Sequence, residues 1–210
     1  MLFGPVRLIT KLVSLVVIAA VVYVIVCGVQ VVNASRLSTA PAAVGPASAI
    51  LVVGDPVADP VARSDRVDLV SRLRQAALLC RHGRAPRILL ASYPPQSGSV
   101  GSFSYDVKTL NGFGLGSCAV VELRAPNTAV ALSQTARRLG DGGSVIVVTD
   151  AIDALWTHGA ASGDGLAAQV SPPPSSKKFV FDEIGPLLRE ATGVAVGRVL
   201  GFGRVSWAAY

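Results

Sequence analysis

The chain has 210 residues, with 19 Lys and Arg against 13 Asp and Glu, and a formal net charge of +6. Charged residues make up 15% of the chain, against about 25% in a typical soluble domain, and hydrophobic residues make up 51%. This composition excludes a chain that is disordered throughout and indicates that part of the protein lies outside water. Three cysteines are too few for a small fold held together by disulfides.

An uncharged apolar stretch near the N-terminus predicts a transmembrane helix over residues 12–33. At about 1.5 Å per residue, this stretch is as long as the hydrocarbon core of a bilayer is thick, roughly 30 Å. Arg7 and Lys11 precede it and no acidic residue does. The positive-inside rule therefore predicts a single-pass protein of the cell membrane, with residues 1–11 in the cytoplasm and the following domain outside it.

Two other interpretations of the apolar stretch stay open. Val32-Asn33-Ala34 has the small-residue spacing of a signal-peptidase site, although the apolar part is longer than in most cleaved signals. A buried helix of a soluble core is the third interpretation. After the stretch, residues 34–48 are small, polar and contain proline. We expect a linker there that lifts one domain, residues 49–205, off the membrane surface.

Within that domain, short apolar runs alternate with segments of helical periodicity. Strands are predicted at 49–54, 86–92, 118–123, 144–149 and 166–170, and helices at 66–82, 104–111, 127–139, 151–159 and 181–192. Gly83 and Gly193 are expected to end helices, Asn127 to cap one, and residues 194–203 to form a further strand. Continuous apolar strands alternating with helices predict an α/β domain with a mostly parallel sheet covered on both faces.

Polar residues follow several of the predicted strands. In open parallel sheets, ligands bind outside the carboxyl ends of the strands, where the strand order reverses. These ends carry Asp55, Ser92, Glu122, Thr149 and Asp150. The alternative is that such residues only cap the helices that follow.

The sequence gives little support for a metal or a phosphate loop. Asp150 and Asp153 lie one helical turn apart and could hold Mg²⁺ or Ca²⁺, but an acidic first helical turn is commoner. His82 and His158 have no partners at ligand spacing, so we predict no metal site and assign no cofactor. The glycine-rich residues 112–116 follow a helix and precede a strand, which predicts a simple connection.

Cysteine and arginine usage bears on the compartment and on partners. Cys80 and Cys118 would face an oxidising compartment and could pair, but two separate buried thiols are the favoured expectation.

Seven arginines lie between residues 63 and 87. They favour a solvated face, with weak attraction to anionic lipid or polymer as the alternative. Few aromatic residues and an extracytoplasmic location argue against nucleic acid as a partner.

The residues of the domain resemble the bacterial YdcF/SanA/ElyC-like family of envelope proteins. The resemblance rests on AILVVGD at 49–55, Arg72, RQAALLCRHGRAPRILLAS at 74–92, Glu122 with Asn127-Thr128, Val148-Thr149, and Leu188-Arg189-Glu190 before Gly193. It implies a Rossmann-like three-layer fold and a role in the cell envelope. It also implies a crevice lined by Arg72, Glu122, Asn127, Thr128 and Thr149, with Arg72 suited to an anionic group.

The departures from the family pattern concern its most ionisable positions. Ser92-Tyr93-Pro94 stands where the family has Ser-Gly-Gly, and Asp150, Asp153 and Trp156 stand where it has Ser, His and Arg. We therefore expect binding without the family's chemistry, or a changed ligand. Three hypotheses follow: a bilayer-anchored protein that binds an anionic small molecule or cell-wall precursor, a degenerate relative without catalysis, and a structural partner of an envelope complex.

Overall fold

The computed structural model of the protein describes residues 3–35, 41–53, 63–92, 102–174 and 184–202. The helices are α1 Phe3–Ser35, α2 Arg63–Arg81, α3 Ser102–Gly112, α4 Thr128–Leu139, α5 Ala154–Gly163 and α6 Ile184–Leu200. The strands are β1 Ala49–Val52, β2 Arg87–Ser92, β3 Ala119–Arg124, β4 Ser144–Val148 and β5 Ala167–Val170. A short 3₁₀ helix spans Pro41–Ala43.

The five strands form one parallel sheet in the order β3-β2-β1-β4-β5. Leu51 of β1 lies opposite Leu89 of β2 on one side and Val147 of β4 on the other. The chain builds the sheet outward from β1 in one direction and then continues from β4 in the other. This arrangement confirms the predicted Rossmann-like α/β fold and places the reversal of strand order between β1 and β4.

Both faces of the sheet are covered, which explains why its central strands are continuous apolar runs. Ile50 and Val52 belong to the core beneath α2 and α3. Leu51 and Val53 belong to the core on the opposite face, with side chains from α4, α5, α6 and the end of α1. All four are almost completely buried, so the sheet is the middle of three layers.

Two local signals in the sequence are confirmed by the geometry of the helix ends. Gly83 follows α2 with φ +66°, and its N–H donates to the carbonyl of Cys80. That left-handed conformation costs glycine little, because it has no Cβ. At the start of α4, the side chain of Asn127 accepts a 2.9 Å hydrogen bond from the N–H of Val130.

The sequence prediction for the last helix is wrong. Instead of ending at Gly193 before a strand over 194–203, α6 continues to Leu200. A Cβ at Gly197 would lie only 2.6 Å from the ring of Phe202, and one at Gly193 would lie 3.5 Å from Trp156. Glycine inside a helix costs about 1 kcal/mol relative to alanine. Here it allows two aromatic rings to pack against the helix.

The first helix is long and apolar enough to cross a membrane. Within Ile9–Asn33, the most apolar 18 residues have a mean hydropathy of 3.0, and only 6% of them are buried within the protein. The final part of α1 nevertheless contacts the domain: Cys27 and Val31 are buried, and a Cβ on Gly28 would lie 3.7 Å from that of Ala191 in α6.

The segment that was expected to be a linker does not hold the helix away from the domain. Val44 is buried in the core beneath α2 and α3, and the N–H of Gly45 donates to Gln169 at 2.8 Å. Ser48 bonds to Ser144 through both its backbone and its hydroxyl. Because the end of α1 also packs on α6, the helix rests directly on the domain. The wider domain boundaries stay a prediction.

Cys80 and Cys118 form a disulfide, so the expectation of two separate thiols is wrong. Cys80 lies at the end of α2 and Cys118 directly before β3, and their Cα atoms are 6.3 Å apart. The two sites are near each other because β2 and β3 are neighbours. Closing a loop of 38 residues stabilises a fold by about 2–4 kcal/mol. Among the described residues, Cys27 is a free, buried cysteine.

Candidate functional site

The carboxyl ends of β1 and β4 are joined by the guanidinium of Arg72, which reaches them from α2. Its Nε and Nη2 donate to the two carboxylate oxygens of Asp150 at 3.1 and 2.9 Å. Its Nη1 donates to the carbonyl of Val53 at 2.8 Å. Arg72 is 5% exposed, whereas the side chain of Asp150 is 29% exposed. The pair therefore lies at the reversal of strand order, with the carboxylate on its more open side.

The pair offers a ligand fewer hydrogen-bond donors and less net charge than the sequence implied. A guanidinium has five N–H groups, and three of them are directed at Asp150 and Val53. Among the residues that the structure describes, the other two N–H groups have no acceptor. Asp150 also cancels the charge of Arg72, so an anionic ligand would be held by directed hydrogen bonds more than by net charge.

A second polar pair lies on β2 and β3. The hydroxyl of Ser92 donates to Oε1 of Glu122 at 2.7 Å. Glu122 of β3 pairs with Leu90 of β2, and Ser92 lies two residues beyond Leu90 on the same face of the sheet, so the two side chains meet. Oε2 of Glu122 lies 3.5 Å from Nε of Arg124, whose side chain is 85% exposed. An ion pair this exposed contributes little. Of Ser92 and Glu122, the carboxylate of Glu122 is the more accessible acceptor for a ligand.

Other predicted site residues have mainly structural surroundings. The side-chain oxygen of Asn127 is used in capping α4, which agrees with the capping alternative for that residue. Thr128 and Thr149 are both buried. Asp55 lies outside the described residues. The structure thus brings Arg72 and Asp150 together, and separately Ser92 and Glu122.

The start of α5 differs from what the family pattern implied. Asp153 is the N-cap residue but makes no capping hydrogen bond with its side chain. Instead, Oε1 of Glu190 accepts the N–H of Trp156 at 3.1 Å. Trp156 is 5% exposed and packs in the core next to Gly193. The residue that stands where the family has Arg is therefore part of the core.

Two buried acids were missed by the sequence analysis. Burial, and secondarily the charge of Asp153, raises the pKa of Glu190 to about 8. Burial raises the pKa of Asp106 to about 6, and its Oδ1 has no hydrogen-bond partner within the described part of the chain. Both lie on apolar helix faces, Phe103–Asp106–Leu110 and Leu187–Glu190–Val194. An acid at a core position of such a stripe is the signal that could have identified them.

Asp150 is less available as a ligand for Mg²⁺ or Ca²⁺, because its carboxylate is bound to Arg72. Over the ranges that the structure describes, no group of three His, Cys, Asp or Glu side chains could hold a metal ion. No family model matches the sequence, and no curated protein or solved structure matches it either. Fold and site together define a Rossmann-like α/β protein with an apolar helix of membrane-spanning length and a buried ion pair at the reversal of strand order.

Removing one member of the buried pair should destabilise the fold. Arg72→Leu leaves the carboxylate of Asp150 without its main partner, and we expect a loss of about 2–4 kcal/mol in the free energy of unfolding. The double variant Arg72→Leu/Asp150→Leu should recover part of that loss. The measurement is urea denaturation of the full chain in detergent micelles.

The exposed pair of Arg124 and Glu122 provides the control. Arg124→Ala should change the free energy of unfolding by less than about 1 kcal/mol. If Arg72→Leu is as harmless as Arg124→Ala, or if the double variant is no more stable than Arg72→Leu alone, the pair is not a coupled buried unit.

The raised pKa of Glu190 should make the protein less stable as the pH rises. Between the ordinary pKa of 4.5 and the folded value of about 8, folding takes up a proton. Protonated Glu190 contributes its full stabilisation below pH 4.5. That contribution is lost as the pH rises to the folded pKa of about 8, by up to about 1.4 kcal/mol per pH unit. Glu190→Gln should flatten the stability curve from pH 5 to 8, measured by urea denaturation. Asp106→Asn should flatten it only below about pH 6; an unchanged slope in Glu190→Gln would refute the assignment.

Proposed function

We propose that the chain is a single-pass membrane protein of the cell envelope, with its N-terminus in the cytoplasm and its α/β domain outside. The domain binds an anionic small molecule or envelope precursor at the carboxyl ends of the sheet strands. The observation that carries the binding proposal is the buried Arg72–Asp150 pair at the reversal of strand order. Membership of the YdcF/SanA/ElyC-like family is part of this proposal.

The packing of α1 supports a retained anchor over a cleaved signal. Cleavage after residue 34 would remove Cys27 and Val31 from the core and uncover Ala191 of α6. Most of α1 is exposed, with side chains such as Leu15 and Val16 about two-thirds accessible. That exposure is unfavourable for an apolar helix in water and favourable for one in lipid.

Two features support the orientation. Arg7 and Lys11 precede the apolar stretch, as is typical of a cytoplasmic N-terminus. The disulfide between Cys80 and Cys118 lies within the domain, and structural disulfides form and persist in oxidising compartments outside the cytoplasm.

The ligand-binding proposal depends on how Arg72 is held. Asp150 and Val53 fix the guanidinium at the strand ends, and its two N–H groups without an acceptor in the described part of the chain are oriented before any ligand arrives. Glu122, on β3, adds an acceptor suited to a hydroxyl group. An anion with hydroxyl substituents fits this combination of groups. A catalytic step is not part of the proposal.

A degenerate relative that acts as a structural or interaction module is the second candidate. The observation in its favour is that the altered family positions are used internally. Asp150 accepts two hydrogen bonds from Arg72, and Trp156 packs in the core. In that case the pair would serve stability alone.

The compartment can be tested through the thiols of the protein in intact cells. After acid quenching and labelling under denaturing, non-reducing conditions, the wild-type chain should expose one reactive thiol, that of Cys27. Reduction before labelling should expose three. Cys80→Ser should expose two without reduction, because Cys118 then lacks its partner. Three reactive thiols in unreduced wild-type protein would contradict the extracytoplasmic location.

Binding can be tested by calorimetry with inorganic phosphate and pyrophosphate on the full chain in phosphatidylcholine nanodiscs. Arg72→Lys keeps the charge but loses the planar fork, and should weaken binding by about ten-fold or more. Asp150→Asn removes the competing charge and should strengthen it. Arg124→Ala is the matched control on an exposed arginine and should bind as the wild type does. Equal affinity in the wild type and Arg72→Lys would favour the structural module.

A further inference from the structure

An apolar groove of about 500 Å³ lies between α1 and α6. Val24, Gly28 and Val32 form part of one wall, and Leu187, Leu188 and Ala191 form part of the other. The small residues Gly28 and Ala191 leave space where the helices approach. Apart from Asn33, every residue that lines this α1–α6 groove is apolar or glycine.

The position of the groove along α1 determines what surrounds it. Val24 to Asn33 rise about 14 Å along the helix axis, close to half the thickness of a bilayer core of roughly 30 Å. These residues are the last part of the apolar segment 9–33. When α1 crosses a membrane in the proposed orientation, the groove lies at the depth of the outer leaflet and opens to lipid chains.

Asn33 is the polar residue that lines the groove at its outer end, and a basic group lies one helical turn away along α1. Three residues before Asn33, Gln30 accepts a hydrogen bond from the guanidinium of Arg198. Arg198 is exposed, and the next two residues, Val199 and Leu200, are exposed and apolar. A basic group near an apolar groove matches the phosphate and acyl chain of a phospholipid.

We propose that the α1–α6 groove binds one acyl chain of an anionic phospholipid, with the lipid phosphate at Arg198. This inference rests on the proposed membrane anchor but not on the ligand of the strand ends. It assigns α6 a role at the membrane surface and makes the lipid part of the interface between anchor and domain. A transmembrane helix of another protein is the competing occupant, and the experiment separates the two.

The probe is phosphatidylglycerol with a diazirine on its acyl chain, incorporated into nanodiscs that hold the full chain. After photolysis, mass spectrometry should find the labels concentrated on the groove residues of α1 and α6. Leu188→Trp should reduce labelling there by about four-fold for each methylene that the indole displaces. Leu200→Trp is the matched control, because Leu200 is as exposed as Leu188, at 57%, and lies outside the groove.

Two further comparisons make the result decisive. Arg198→Gln should abolish the preference for phosphatidylglycerol over phosphatidylcholine without emptying the groove. Gly28→Val should fill the groove from the side of α1, and Leu188→Trp provides the test if that variant does not fold. Equal labelling in Leu188→Trp and Leu200→Trp, or crosslinks from the groove to a second protein chain, would overturn the proposal.

The same experiment distinguishes failure of this inference from failure of the membrane anchor. Val17 lies in the middle of the apolar segment and is 55% exposed. Labels on Val17 but none in the groove would mean that α1 crosses the membrane and that the groove holds no lipid. Absence of labels from both would mean that α1 is not in the bilayer.

Discussion

The charge of Arg72 has to be compensated inside the protein, and this requirement organises the strand ends. A buried guanidinium without partners would cost several kcal/mol. Asp150, 78 residues later in the chain, supplies the counter-charge from the end of β4, and Val53 supplies a carbonyl from the end of β1. One side chain of α2 thereby ties together the two strands between which the sheet reverses.

The positions of the strands and most helix boundaries were predictable because they depend on local signals. Continuous apolar strands, the capping side chain of Asn127 and the positive φ of Gly83 each act within a few residues. The end of α6 was not predictable in this way. Gly193 and Gly197 resemble helix breaks in the sequence, but the structure uses them to admit Trp156 and Phe202, which are distant or lie beyond the helix.

The candidate site was predicted less completely than the fold. Ser92, Glu122 and Asp150 lie at predicted strand ends, which parallel strands bring to one edge, so they were identified from the strand pattern. Arg72 lies within α2 and was identified only through the family resemblance. Their pairing was not, since partners such as Ser92 and Glu122 depend on strand register. The same holds for the disulfide, which required the neighbouring positions of β2 and β3. The buried position of Trp156 could not be predicted either, because it depends on packing against Gly193 of α6.

The contact between α1 and α6 has a consequence for the order of events during biosynthesis. Gly28 and Ala191 are separated by 163 residues, which a ribosome adds in roughly 8–30 s. Over that interval α1 has no α6 to pack against, and in the proposed membrane-anchored protein the face that later meets α6 is in contact with lipid. Val24 and Val31 suit that surrounding as well as they suit α6. In that proposed arrangement α1 is in place before the end of the domain is synthesised, and α6 is the last element to pack on it.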